Sequence, residues 1–201
     1  MSRTALLNSA GVLVEFLARV LPSQMTAPPD DLFTAPPRQA AVLVPLYARE
    51  DRPHLLFTRR APTLARHSGE ISFPGGARDR VDATLTDTAL RESEEELGIN
   101  PSSVVILGQL TPVFTVVSNF LINPVVGWLG TELARFTPNP AEVAEVIEAP
   151  LADLADPAIF HIEQWQRNGI PHPVYFFQLG SYRIWGATAR VVHDLLTMLP
   201  A

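Results

Sequence analysis

The first hydrophobic pattern along the chain lies between residues 4 and 21. Apolar residues recur there every three or four positions, which predicts one amphipathic helix. Its apolar positions are Leu6, Ala10, Leu13, Val14, Leu17 and Leu21. Residues 22–38 hold five prolines and predict a linker that wraps over the surface. The helix and linker could be the dimerisation arm of a homodimer or a cover for one face of the protein, and we favour the cover.

Short apolar runs separated by turn residues follow, as is typical of paired strands. The predicted strands are residues 40–46, 55–58, 104–107, 113–117, 120–128, 159–165 and 174–179. Asn123 and Pro124 are expected to break the strand over 120–128. Residues 142–155 predict a short strand and then a helical turn, and residues 187–199 predict a closing helix. Because strands and helices interleave, we expect a mixed sheet between helices, an α/β/α sandwich.

Composition narrows the class of protein. A chain of 201 residues with 47% hydrophobic and 18% charged residues is long enough for one sizeable globular core. Its net charge of −6 argues against general nucleic-acid binding. The absence of cysteine excludes disulfides and thiolate chemistry and permits a reducing cytosol. Charges interrupt the apolar N-terminal run, so we expect neither a signal peptide nor a membrane span, and a cytoplasmic protein.

The segment from Arg91 to Ile99 contains four glutamates among nine residues. Placed on a helix, Glu92, Glu95 and Glu96 fall within an arc of about 100°, and Glu94 points to the far side. Like charges so close repel one another, and a hard divalent cation removes that cost. The alternative is a solvated acidic face of the helix.

The flanking residues favour the metal site. Residues 72–76 predict a strand end that enters a loop tolerant of unusual backbone angles and of a close ligand. Asp82 or Thr84 could cap the helix that follows, and Gly98 suits its C-terminal end. Arg91 could pair with a carboxylate and orient the cluster.

These residues resemble the Nudix box, the signature of Nudix hydrolases. The matching positions are Gly76, Arg91, Glu92, Glu95, Glu96, Gly98 and Ile99. The box has a glutamate six residues after its first glycine and eight before its arginine, whereas here Asp82 stands six after Gly76 and nine before Arg91. This shift weakens the carry-over of the usual acid–arginine pair to Asp82 and Arg91. Ser93 also replaces an aliphatic residue.

The resemblance implies a Nudix-type α/β/α sandwich with a mixed sheet over residues 39–201, preceded by the helix and Pro-rich linker of residues 1–38. It implies an enzyme, a pyrophosphohydrolase that splits a nucleoside diphosphate linked to another moiety with the help of Mg²⁺ or Mn²⁺. Physical chemistry supports a metal-dependent reaction, because divalent ions neutralise the clustered phosphate charge that repels an attacking water.

The resemblance also implies roles for single residues. Glu92 and Glu96 are the main metal ligands, and Glu95 completes the face directly or through water. The backbone carbonyl of Gly76 or of the glycine before it adds an oxygen. Arg91 orients the glutamates, unless it forms an ordinary surface ion pair.

The general base stays open at this point. It could be a glutamate of the box or a glutamate from a later loop. Glu142 and Glu145 are candidates because their segment follows the loop of residues 130–141. They could equally be exposed loop charges.

A narrower resemblance, to the coenzyme A pyrophosphatase branch, covers more of the chain. The similar segments are residues 40–46, 55–60, 67–69, 73–76 and 182–190. The branch has an arginine directly after the leucine that matches Leu64, whereas this chain has Ala65 and then Arg66. The substrate-binding candidates are Arg59, Arg60, Arg66, His67 and Gly69. The arginines suit the 3′-phosphate of coenzyme A, although each could be ordinary surface charge.

Three alternatives remain from the sequence. The first is another Nudix hydrolase, acting on ADP-ribose, a dinucleotide or a nucleoside triphosphate. The second is a non-catalytic Nudix-like nucleotide-binding module, but such modules usually lose glutamates that this chain keeps. The third is a structural or interaction protein, and only the predicted N-terminal helix supports this alternative.

Overall fold

The structure is a computed structural model that describes residues 1–25, 35–63, 68–131, 136–167 and 169–200. Its helices are α1 (Arg3–Asn8), α2 (Ala10–Val20), α3 (Leu85–Leu97), α4 (Leu151–Leu154) and α5 (Gly186–Thr197). Single 3₁₀ turns occupy Pro101–Ser103 and Pro157–Ile159. In these described ranges, no helix has the length and apolar character needed to cross a membrane.

The described strands lie in two sheets. The main sheet contains β1 (Arg38–Arg49), β2 (Arg52–Arg60), β3 (Ile71–Ser72), β4 (Gly75–Ala77), β5 (Val105–Gln109), β6 (Val113–Thr115), β7 (Phe120–Trp128) and β8 (Val143–Pro150). It is mixed, because the central β1 runs antiparallel to β2 and parallel to β7. Its order is β3-β2-β1-β7-β5, and β8 pairs with β2, β4 with β1 and β6 with β7. The second, antiparallel sheet contains β9 (Phe160–Arg167), β10 (Ile170–Leu179) and β11 (Tyr182–Trp185).

Helices cover both faces of the main sheet. On one face α3 packs through Ala89 and Leu97 against Leu43 of β1 and Leu56 of β2. Side chains alternate along a strand, so the residues next to these two on each strand face the other way. There α1, α2 and α5 join the larger core cluster, which includes Leu6, Leu13, Leu17, Val44, Leu46, Leu55, Phe57 and Leu195. The predicted α/β/α sandwich with a mixed sheet is confirmed.

The N-terminal helix differs from its prediction. The single helix expected over residues 4–21 is wrong, because Ser9 adopts an extended backbone with φ −138° and separates α1 from α2. The Asp51 carbonyl accepts a hydrogen bond from the Ala10 N–H, which anchors the start of α2 on the β1–β2 turn. Leu6, Leu13 and Leu17 are fully buried. This packing agrees with a covering role for the helices.

The predicted interruption of one strand is also wrong. β7 runs unbroken through Asn123 and Pro124, which pair with Ala41 and Val42 of β1. Buried Asn123 donates its amide to backbone carbonyls, so its polar group costs little there. A strand does end at Ser72, as predicted, but the loop after it is short because Gly75 and Gly76 belong to β4. Gly75 lies so close to β1 that an added Cβ would sit 2.3 Å from the Ala41 carbonyl oxygen.

Candidate active site

Helix α3 carries the acidic segment, and local contacts fix both of its ends. The Thr84 hydroxyl accepts a bond from the Asp87 N–H, and the Asp87 carboxylate accepts one from the Thr84 N–H, which forms a capping box. Of the two predicted caps, Thr84 is therefore the one used. Gly98 ends the helix with φ 68°, and its N–H bonds to the Glu94 carbonyl. These caps fix where α3 begins and ends.

The four glutamates of α3 have very different surroundings. Glu96 is only 3% exposed, and the Glu92 side chain is 17% exposed. The Glu95 side chain is 54% exposed, and Glu94 is also exposed. The Glu92 carboxylate lies over Gly76 of β4, where an added Cβ would meet its carboxylate carbon at 2.5 Å. Glu92 and Glu96 therefore lie beside the glycine strand, and Glu94 faces solvent.

Glu96 is a buried carboxylate that lacks full hydrogen bonding. The pKa of Glu96 is raised to about 8, chiefly by burial; the charge of Arg60 opposes this rise, and the charges of Glu92 and Glu142 contribute to it. Burial likewise raises the pKa of Glu92. In the described part of the chain, Oε2 of Glu96 has no hydrogen-bond partner. Leaving such an atom unpaired is costly, so the site favours a cation that would satisfy it.

Among the residues that the structure describes, Arg60 is the cation within ion-pair distance of Glu96. Its Nη1 lies 3.9 Å from Oε1 of Glu96, and its Nε is buried without a hydrogen-bond partner among the described residues. The chain is held at this point because the Arg60 carbonyl accepts the N–H of Gly69, and the Arg60 N–H bonds to the Glu70 carbonyl. Gly69 has φ 74°, a backbone angle that favours glycine. Of the predicted substrate residues, Arg60 and Gly69 are therefore brought to the edge of the carboxylate site.

Arg91 joins three carboxylates and one backbone carbonyl. Its Nε and Nη2 donate to the two oxygens of Asp82 at 2.9 and 3.0 Å. Its Nη1 lies 2.9 Å from Glu92 and 3.2 Å from Glu95, and Nη2 also donates to the Ala77 carbonyl at 3.3 Å. The acid–arginine pair does carry over to this chain, because the substituted aspartate forms a bidentate pair with Arg91 despite the insertion.

Asp82 is held by more than Arg91. Its Oδ2 accepts the Thr88 hydroxyl at 2.9 Å and the Asp79 N–H at 2.8 Å, and the side chain is 3% exposed. The Arg91 hydrogen bonds keep the pKa of Asp82 well below its usual range. Ser93, at the expected aliphatic position, is buried and donates to the Ala89 carbonyl at 2.6 Å. The polar groups of Asp82 and Ser93, the two departures from the box, are thus satisfied by local hydrogen bonds.

The donor atoms present fit a hard divalent cation. Carboxylate oxygens of Glu92 and Glu96 lie beside the backbone of β4, and one of them is orphaned and buried. The third predicted ligand is placed differently, because Glu95 is mostly exposed and pairs with Arg91. Among the described residues, no group of three acidic, histidine or cysteine side chains is arranged to hold one ion. Glu92, Glu96 and a carbonyl of β4 are the residues that could hold it.

The structure separates the two later glutamates. Glu142 lies near enough to raise the pKa of both Glu92 and Glu96. Glu145 is fully engaged elsewhere, since its Oε2 lies 2.9 Å from Arg59 and its Oε1 accepts the Tyr182 hydroxyl at 2.6 Å. Glu142 therefore belongs to the carboxylate site, and Glu145 holds Arg59.

Sequence reasoning missed Asn139. Its N–H bonds to the Glu96 carbonyl at 2.9 Å, and its side-chain amide donates to Glu142 at 3.2 Å. It thus ties Glu142, one of the candidate bases, to the end of α3. The Asn139-Pro140 pair is a turn signal that could have drawn attention to this loop. Two predicted substrate residues, Arg66 and His67, lie outside the described residues.

A capped acidic helix packed beside a glycine strand, with an aspartate–arginine pair behind it, defines the class of this protein. The NUDIX domain family matches residues 37–172. The chain belongs to the Nudix hydrolase family and is a pyrophosphohydrolase of that family. Nudix enzymes generally use divalent metal ions and bind nucleotide-containing substrates.

Similar curated proteins carry the same family name. An uncharacterized Nudix hydrolase NudL of Photorhabdus laumondii is 40% identical over 168 residues, which cover 84% of this chain and 88% of that protein. A NudL of Klebsiella pneumoniae is 39% identical over 94% of this chain and 95% of its own. A Nudix hydrolase from M. smegmatis, RenU, matches in structure with a TM-score of 0.50 at 24% identity, covering 59% of this chain and 74% of its own. This last likeness supports the Nudix fold alone.

Proposed function

We propose that this enzyme hydrolyses the diphosphate of coenzyme A or an acyl derivative. The products are 3′,5′-ADP and 4′-phosphopantetheine, or its acyl form. The observation that carries the hydrolytic part is the pair of Glu92 and Glu96, with one buried carboxylate oxygen left unpartnered. A site of this kind would suit a hard divalent cation, which prefers oxygen ligands.

In this proposal Glu92 and Glu96 hold Mg²⁺ or Mn²⁺ together with a backbone carbonyl of Gly76 or its neighbour. Glu95 contributes at the rim through water. When bound, the ion neutralises the diphosphate charge and makes a nearby water more acidic. Arg91 fixes the Glu92 carboxylate in place through its 2.9 Å contact.

We assign the general base to Glu142. The reaction adds a water oxygen to phosphorus, breaks the bridging P–O bond, and passes the water proton to a carboxylate. Glu142 is supported because it lies within electrostatic reach of Glu92 and Glu96. Glu145 is disfavoured because both of its oxygens are already paired, one with Arg59 and the other with Tyr182.

The coenzyme A part rests on two stretches of the chain and on how they meet. One stretch includes Arg59, the next-to-last residue of β2, and the other begins β11 with Tyr182. Glu145 contacts both, at 2.9 Å and 2.6 Å. The segments that carry the narrower resemblance are therefore neighbours, as parts of one substrate site would be.

A cytoplasmic location and a homodimer stay predictions.

A substrate panel tests the proposal. Purified protein is incubated with Mg²⁺ or Mn²⁺ and coenzyme A, ADP-ribose, diadenosine polyphosphates or nucleoside triphosphates, and products are identified by mass. We expect coenzyme A to give 3′,5′-ADP with the highest kcat/KM. A clear preference for any other compound would replace coenzyme A as the substrate and leave the Nudix chemistry intact.

A further inference from the structure

An open cleft of about 410 Å³ lies beside the carboxylate site. It is lined by Arg38, Gln39, Ala77, Arg78, Asp79 and Arg80. We call it the arginine cleft. Its walls are the first residues of β1 and the residues that follow β4, which are joined by a bond from the Arg78 N–H to the Gln39 carbonyl.

The arginine cleft adjoins the proposed reaction centre along one strand. Ala77, on its wall, directly follows the glycine that lies under the Glu92 carboxylate. The Ala77 carbonyl also accepts a bond from Arg91 at 3.3 Å. A strand advances about 3.3 Å per residue, so Arg80 lies within about 13 Å of Gly76 along the chain. A substrate held at the carboxylates could reach the cleft with a second group.

The cleft concentrates positive charge in a protein whose net charge is −6. Among the described residues, no carboxylate lies within ion-pair distance of Arg38, Arg78 or Arg80. Arg78 donates to two backbone carbonyls, and Arg38 lies 4.4 Å from the centre of the Phe120 ring. Arg80 has no side-chain hydrogen bond within the described ranges. By contrast, Arg59 faces a glutamate at 2.9 Å.

Gln39 adds a hydrogen-bond donor to the same wall. Its Oε1 accepts the side-chain amide of Asn123 at 3.2 Å, and Asn123 is only 7% exposed. This bond orients the Gln39 amide so that its NH₂ group stays available. The one acid on the wall, Asp79, uses its Oδ1 to accept the Val81 N–H at 3.2 Å. The cleft therefore presents mainly donors.

We propose that the arginine cleft binds a phosphate monoester of the substrate, remote from the diphosphate that is cleaved. Arg38 and Arg80 supply the guanidinium groups, and Arg78 positions the loop that carries Arg80. Guanidinium forks match phosphate oxygens in shape and charge. On the proposed function, this group is the 3′-phosphate of coenzyme A, so Arg59 and Arg60 are left for the diphosphate side of the site.

Two single variants and one matched control test this assignment by kinetics. R38Q and R80Q are compared with R52Q, which makes the same charge change on an exposed arginine. Arg52 lies opposite Arg49 in the register of β1 and β2, at the far end of β1. Arg49 is about 36 Å from Arg38 by strand length. We expect R38Q and R80Q to lower kcat/KM for coenzyme A about tenfold, mainly through KM. That loss is at the low end for a charge-assisted bond because the cleft is open to solvent.

Dephospho-coenzyme A, which lacks the 3′-phosphate, is the matched substrate. We expect R38Q and R80Q to change its kcat/KM less than threefold, and R52Q to change neither substrate. Equal losses on both substrates, or no loss with coenzyme A in either variant, would overturn the inference. Wild type that cleaves both substrates equally well would overturn it too, since the 3′-phosphate would then not be bound productively.

A binding measurement separates this inference from the proposed function. Calorimetry compares adenosine 3′,5′-bisphosphate with adenosine 5′-monophosphate on wild type, R80Q and R52Q, with no hydrolysis involved. We expect wild type and R52Q to bind the bisphosphate at least about tenfold more tightly, and R80Q to lose that preference. If coenzyme A is not cleaved but the preference is present, the proposed function fails and the phosphate site stands. If wild type shows no preference, the phosphate site fails whatever the enzyme cleaves.

Discussion

Replacing Gly76 by alanine would test the position of the Glu92 carboxylate with one added methyl group. An alanine Cβ there would lie 2.5 Å from the carboxylate carbon of Glu92. Carbon atoms in contact prefer about 3.5–4.0 Å, so the carboxylate must retreat by at least about 1 Å. Gly76 does not have a positive φ, and the atoms it would meet end a flexible side chain, so the fold should survive. We expect G76A to change the free energy of unfolding by less than about 1 kcal/mol.

Activity should respond much more strongly. A displacement of about 1 Å at a catalytic group can cost about 100-fold in rate, so we expect kcat/KM of G76A to fall by that order at limiting Mg²⁺. Metal titrations of the rate, beside urea unfolding curves, measure both effects. G75A is the contrasting variant, because its Cβ would strike the Ala41 carbonyl oxygen at 2.3 Å, and it should unfold more easily. Wild-type activity of G76A across the metal titration would refute the placement of Glu92 as a ligand.

Three further results are expected from the carboxylates of α3 and their support. Chelation by EDTA should abolish turnover and E96Q should lower it at least about 100-fold, the scale for loss of one electrostatic catalytic element; undiminished turnover in EDTA would contradict this. E94Q should stay within a few-fold of wild type, while E92Q should lose about 100-fold, and equal losses would show that the helix faces otherwise. D82A should lower the free energy of unfolding by about 1.5–3 kcal/mol in urea titrations, because it removes the charge-assisted bonds from Arg91 and the bond from the Thr88 hydroxyl; an unchanged midpoint would mean that the pair contributes nothing.

The parts of the site that the sequence predicts are those set by local spacing. The arc that joins Glu92 to Glu96 depends only on the helical repeat, and the cap at Thr84 depends on four consecutive residues. Both could be predicted without knowledge of the sheet. The end of the helix at Gly98 follows from the same kind of local chemistry.

The features of the site that the sequence does not predict depend on residues that are distant along the chain. The near-complete burial of Glu96 requires β4 and the end of β2, and Arg60 lies 36 positions before it. The rotation of Glu95 towards Arg91 is a choice among side-chain partners that helical spacing leaves open. For the same reason the passage of β7 through Pro124 was missed, because a proline is tolerated or excluded according to the neighbouring strands.

The bidentate bond of Asp82 suggests why one inserted residue accompanies a shorter acid. An aspartate side chain is one methylene shorter than glutamate, so its backbone must approach Arg91 more closely to form the same two bonds. The loop before α3 provides that approach, because Arg78 donates to the carbonyls of Asp82 and Ala83 at 3.0 and 2.8 Å and folds the chain back. The Asp79 N–H also donates a hydrogen bond to the Asp82 carboxylate at 2.8 Å. These contacts bring the Asp82 carboxylate to Arg91, so the bidentate pair forms with the shorter acid and still holds Arg91 beside Glu92.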